Sequence, residues 1–187
     1  MGSDGFSRRG FVLGAIAMTA LGFQSKPSWA GHILHPEHRT LRLVSLHTGE
    51  RLNVTYFERG NYLPDALEAI NHQLRDHRTG DVYPIAVPLL DVLALLASKQ
   101  APDSIFEVIS GYRSPTTNQR LAARSSGVAK HSYHMRGMAI DVRIAGVSTS
   151  VLRDAAWAMH RGGVGYYPRD RFVHIDVGRP RRWGPRA

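Results

Sequence analysis

The chain has 187 residues, 43% of them hydrophobic, which suits one compact domain with a core of its own. It contains no cysteine, and this excludes disulfides, thiolate zinc sites and a cysteine nucleophile. The formal net charge of +9 is carried almost entirely by arginine and favours anionic partners such as nucleic acid, membrane surfaces or bacterial wall polymers, but no Lys/Arg run with interleaved aromatics supports a nucleic-acid groove.

In chain order, "SRRGFVLGAIAMTALGF" runs from Ser7 to Phe23. Arg8 and Arg9 precede an apolar stretch that is short for a spanning helix, and "SWA" at Ser28–Ala30 has the small-x-small form of a cleavage site. The pattern resembles a twin-arginine signal. Residues 1–30 are therefore expected to be a signal peptide that delivers the chain to the periplasm, with no stable membrane insertion after cleavage. Residues 31–39 hold His32, His35 and His38 without an apolar period and read as a leader.

Alternation on both sides of "HTGE" predicts a hairpin with strands near 40–46 and 51–57. Leu63, Ala66, Leu67 and Ile70 have helical spacing, in a segment that ends on Gly80. "IAVPLLDVLALLASK" reads as a second, mostly buried helix, and "IFEVISGYRS" as a strand running into a turn. "TTNQRLAARSS" predicts a short helix capped by Thr116 or Thr117, with Asn118 and Gln119 on its surface. Then follow a strand "MAIDVRI", a helix "STSVLRDAAWAMHR" that ends near His160, and the strands "VGYY" and "FVHIDVG". The end of the chain is expected to be loose beyond Trp183, with 184–187 a tail. Strands and helices mix without a regular βαβ rhythm, so the class is α+β, a small antiparallel sheet with helices packed around it.

The last strands carry the chemistry. In "AIDVRI" the aliphatic Ile140, Val142 and Ile144 alternate with Asp141 and Arg143; in "FVHIDV" Val173, Ile175 and Val177 alternate with His174 and Asp176. Period two sends the aliphatics to the core and Asp141 and His174 to the other face. If the strands are neighbours, the two side chains converge. His134 lies in the segment entering the first strand, and Gly137 permits the sharp backbone course that would fold it back over Asp141. Two imidazoles, one carboxylate and an open fourth position form a catalytic zinc set. By spacing alone the same residues could equally be a surface histidine and a solvated aspartate.

"SYHMRGMAIDV" resembles the S-x-H-x-x-G-x-A-x-D motif of zinc D-Ala-D-Ala carboxypeptidases and related murein peptidases, whose fold is shared with the zinc domain of hedgehog proteins. "SGYRS" at Ser110–Ser114 resembles that family's strand-turn arginine motif, and "GGVGYYPRDRFVHIDVGRPRRW" at Gly162–Trp183 resembles the C-terminal motif of its MepK-like (YcbK-like) branch. The resemblance covers residues 40–183, the expected peptidase domain. It implies Zn2+ held by His134, Asp141 and His174, with Arg113 contacting the substrate or transition state. It also implies a murein endopeptidase that cuts peptide cross-links of peptidoglycan. A D-Ala-D-Ala carboxypeptidase and a zinc-bearing wall-binding module remain alternatives. Many relatives place a carboxylate three residues before the last zinc histidine as general base; here that position is Arg171. Asp176, His131 and Asp170 are the replacements, with Asp176 ranked first for its place on the His174 face, where it could also orient a ligand.

Overall fold

A computed structural model of the protein describes Met1 and residues 37–100, 103–125 and 127–185. The expected signal peptide and most of the leader lie outside the described residues, as do the last two residues of the tail.

The described chain runs β1 (His38–Ser45), β2 (Arg51–Glu58), β3 (Asn61–Tyr62), α1 (Pro64–Gln73), α2 (Val87–Gln100), β4 (Phe106–Ser110) and α3 (Pro115–Arg124). A 3-10 turn (Tyr133–Arg136), β5 (Ala139–Ile144), α4 (Thr149–Ala158), β6 (Gly163–Tyr167), β7 (Phe172–Asp176) and β8 (Arg181–Trp183) follow. This is the expected α+β class, and the sheet is larger than the sequence suggests. It has eight strands in the order β3-β2-β1-β4-β5-β7-β6-β8. The pairs β1–β4 and β6–β8 are parallel and the rest antiparallel.

One side of the sheet carries the core. Leu41 and Leu43 of β1, Phe106 of β4, Ile140 and Val142 of β5, and Val173 and Ile175 of β7 are buried there. They pack with Leu89, Leu90, Leu93 and Leu96 of α2 and Leu152 of α4. Such burial contributes about 1.5–3 kcal/mol for each large side chain. The alternation that fills the core frees the intervening positions of β5 and β7 for the other side.

Three element boundaries differ from the sequence reading. β1 begins at His38 inside the expected leader, and His38 lies 3.3 Å from Glu58 on the neighbouring strand. α1 stops at Gln73 rather than running on to Gly80. The Asp76 carboxylate draws the chain out of the helix by accepting from the Arg78 amide at 3.0 Å and from the Ser114 amide and hydroxyl at 2.9 and 2.7 Å. Gly80, at φ 80°, closes the resulting turn. α3 is capped by Ser114, whose hydroxyl accepts from the Thr117 amide at 3.2 Å, with Pro115 in the first turn. Thr116 and Thr117 are inside the helix.

Candidate metal centre

β5 and β7 are adjacent, and Asp141 pairs directly with His174. Cross-strand partners on one face lie about 4.5–5.5 Å apart at Cβ, so the register alone brings carboxylate and imidazole together. Ala139 is paired with Asp176 and is fully buried; its small side chain leaves room for that carboxylate.

His134 arrives from the 3-10 turn. Ser132 caps the turn by accepting from the His134 amide at 3.3 Å, and Gly137 ends it at φ 62°. A Cβ on Gly137 would collide with the Pro84 carbonyl, so both conformation and space require glycine there. The buried His134 imidazole donates from Nδ1 to the Gly111 carbonyl at 2.8 Å.

The three side chains meet at one point. His174 Nδ1 lies 2.8 Å from Asp141 Oδ1, His134 Nε2 lies 3.3 Å from the same oxygen, and the two ring nitrogens are 3.2 Å apart. His174 turns its other nitrogen, Nε2, to Asp176 Oδ2 at 3.1 Å. Each imidazole thus commits one N–H to an outer acceptor and turns its second nitrogen to a shared carboxylate oxygen. Three electron-pair donors converging on one position suit a cation, and a carbonyl or carboxylate behind each imidazole is how metal-binding histidines are held. Among the described residues this is the group of His, Asp and Glu whose donor atoms all lie within 4.8 Å of one another.

The electrostatics follow the geometry. Burial pushes the Asp141 carboxyl up, but the two imidazoles outweigh it and hold the group well below the usual carboxylate range. Burial pushes His134 down. Burial also disfavours charge on His174, yet its hydrogen bonds to Asp141 and Asp176 override this and raise it to about 9.

Arg113 stands beside the cluster. Its Nη2 is 3.4 Å from Asp141 Oδ2 and 3.3 Å from the Ser110 hydroxyl, and its Nη1 is 3.5 Å from Asn118 Oδ1. Its Nε is buried without a hydrogen-bond partner among the described residues. Asn118, expected on the surface of α3, is buried and donates to the carbonyls of Ala129 and Lys130 at 3.1 and 3.3 Å. It ties the loop that carries His131 to the helix that follows Arg113. Gln119, its neighbour, is exposed as expected.

The cluster opens into a cleft of about 480 Å³ whose lining includes Arg113, His131, Tyr167, Asp170, Arg181 and Trp183. Tyr167 and Trp183 form part of its wall, linked by a hydrogen bond from the indole nitrogen to the phenol oxygen at 2.9 Å, whereas Tyr166 packs against the core under Arg153. His131 is exposed on the cleft wall. Asp170 lies in the turn between β6 and β7 beside Arg171, which has φ 56°. Asp176 is buried and does not line the cleft. Its Oδ1 accepts from the amides of Gly163 and Gly178 at 3.2 and 2.8 Å and from Arg181 Nη1 at 3.0 Å; its Oδ2 accepts from Arg181 Nη2 at 2.7 Å as well as from His174. Sequence patterning does not flag Gly111, Asn118, Asp76 or Arg181 as parts of the site. Three of them act through backbone atoms or from behind another side chain, and for Arg181 the only cue is its place in the C-terminal motif.

Comparison with known proteins places the chain in a family. A family profile described as peptidoglycan L,D-endopeptidase MepK matches residues 34–183. The chain is 42% identical over 180 residues to the peptidoglycan L,D-endopeptidase MepK of Escherichia coli K12, covering 96% of this chain and 98% of the relative. It is 36% identical over 182 residues to the probable peptidoglycan L,D-endopeptidase MepK of Haemophilus influenzae, covering 96% of each. The one-sheet α+β architecture is consistent with the hedgehog/D-Ala-D-Ala-peptidase-like fold. With the family signature spanning the whole described fold and the motif residues gathered in one cleft, the chain is a peptidase belonging to the M15 family, in its MepK group.

Proposed function

We propose that the protein is an exported zinc-dependent murein endopeptidase that hydrolyses peptide cross-links of peptidoglycan, of the type joining two diaminopimelate residues. The observation that carries this reading is the convergence of His134 Nε2, His174 Nδ1 and Asp141 Oδ1, with both remaining imidazole nitrogens engaged by Gly111 and Asp176. Zinc bound by such a set polarises a scissile carbonyl and lowers the pKa of water to about 7.

The chain's own residues supply the rest. Arg113 places a permanently charged guanidinium beside the cluster and in the lining of the cleft, suited to donate to a substrate carboxylate or a developing oxyanion. Asp176 fits the orienting role: its acceptor positions are filled, so it fixes the His174 ring and has no capacity left for a water proton. Arg171 carries no acceptor at all. Asp170 lies in the turn before β7, off the strand that carries His174, and lines the cleft. His131, on the cleft wall with no polar contact tying down its ring among the described residues, is the proton acceptor in this reading.

The names of the relatives support a peptidoglycan substrate. That polymer lies outside the cytoplasmic membrane, which supports periplasmic action after export through the twin-arginine signal at residues 1–30. Among the described residues no helix is long and apolar enough to cross a membrane. The test is product analysis. Purified protein with zinc is incubated with muropeptides, and the products are identified by mass. Monomers released from cross-linked dimers are expected. Loss of a terminal alanine would instead identify a carboxypeptidase, and retained binding without cleavage a wall-binding module.

A further inference from the structure

We infer that Arg181 is a positioning residue of the metal centre, acting on His174 through Asp176; the inference rests on the reading of His174 as a metal ligand. Arg181 opens the edge strand β8, which pairs in parallel with β6 so that Gly163 stands opposite Arg181. Its guanidinium grips both oxygens of Asp176, at 3.0 and 2.7 Å. The same carboxylate receives His174 Nε2 at 3.1 Å. An unbroken chain of contacts thus runs from the last strand of the sheet to the back of a ligand ring.

The clamp is itself held. The guanidinium carbon lies 5.2 Å from the Tyr133 ring centre and 4.9 Å from that of Trp183, within range for a cation over an aromatic face. Gly163 makes the approach possible, since a Cβ there would collide with both Arg181 Nη1 and Asp176 Oδ2. Asp176 is almost wholly buried, at 1% exposure. A buried carboxylate that loses a bidentate guanidinium loses its strongest partners. Asp176 would keep the Gly163 and Gly178 amides on Oδ1, but Oδ2, the oxygen facing His174, would keep only the imidazole. The ring would then swing about its Cβ, and Nδ1 would lose its alignment with Asp141.

The experiment measures zinc affinity by chelator competition, and the d–d absorption of the cobalt-substituted protein, for wild type, Arg181→Met, Arg181→Lys, Asp176→Asn and the Arg181→Met/Asp176→Asn double variant. Loss of an outer partner of a ligating histidine typically weakens metal binding by about 10–100-fold. That loss is expected for Arg181→Met, with a smaller one for Arg181→Lys, which keeps the charge but not the fork. The cobalt spectrum should change in both. The double variant should bind zinc no more weakly than Asp176→Asn, because Arg181 acts only through that carboxylate. Unchanged zinc affinity and cobalt spectrum in Arg181→Met would overturn the inference, as would additive losses in the double variant. So would a rise in KM with metal affinity intact, which would make Arg181 a substrate contact. If Arg181→Met does not fold, Arg181→Lys decides by the same readouts. His174→Ala serves as the separate control: wild-type zinc affinity there would refute the ligand assignment itself.

Discussion

His174 bonds to two carboxylates, through Nδ1 to Asp141 and through Nε2 to Asp176. Without a metal these contacts hold the imidazole protonated up to about 9, against the cost of burial. A metal needs the neutral ring, so binding must expel that proton. A raised pKa means that the ion-pair stabilisation of the metal-stripped protein is complete below about 6.5 and lost as pH rises through about 9. Zinc affinity should therefore rise about tenfold per pH unit from neutrality toward 9 and level off above it. Titrations in buffers of different ionisation enthalpy should show one proton released per metal near pH 7; release of none would remove His174 as the proton source. Changing His134, Asp141 or His174 to Ala should sharply weaken zinc binding, whereas His72→Ala and His160→Ala should leave it unaltered. Arg113→Lys should lower turnover far more than it lowers the melting temperature, because charge is retained and the planar fork is lost. At this scale Asp141 and His174 were legible, since each interrupts an aliphatic alternation at the same phase. The Gly111 carbonyl that holds His134 was not, because any residue carries a carbonyl and only the fold selects which one is used.

The loop that presents Arg113 is fixed from two elements. Asp76, just past α1, accepts from both the amide and the hydroxyl of Ser114, the residue that caps α3. Burial pushes the Asp76 carboxyl up, but the donors around it prevail and hold it at about 2. Its contribution is present above about 4 and is lost as pH falls toward 2. Asp76→Asn should lower stability by about 1–3 kcal/mol and reduce turnover by loosening Arg113. Thermal melts of wild type should fall more steeply than those of the variant between pH 4 and 2; parallel curves would show that Asp76 does not carry the dependence. The helices and strands themselves were legible from their periods. Their ends were not, because Asp76 and Ser114 lie 38 residues apart, and a cap that ends one helix while anchoring another has no local pattern.

Across the whole molecule, the site depends on pairings that sequence alone conceals. The parallel contacts β1–β4 and β6–β8 join strands that are not neighbours in the chain, so alternation revealed the strands and the α+β class but not their order. The proposed site draws on residues from Arg113 to His174, with Arg181 and Trp183 brought in by β8. No fragment lacking β7 or the His134 turn contains all three donors. In the proposed reading, the complete donor set therefore forms only once β5, β7 and the His134 turn have come together. The twin-arginine route carries folded proteins, so a chain using it could acquire its metal before crossing the membrane. Arg8 and Arg9 lie outside the described residues, and the expectation rests on their place ahead of the apolar stretch. Replacing both by Lys keeps the positive charge and the hydrophobic segment that the general secretory route needs, and removes only the paired arginines. The double variant should accumulate as uncleaved precursor inside the cell, folded and resistant to protease, while wild type appears in the periplasmic fraction. Normal export of the double variant would assign the segment to the general secretory route and place metal loading after translocation.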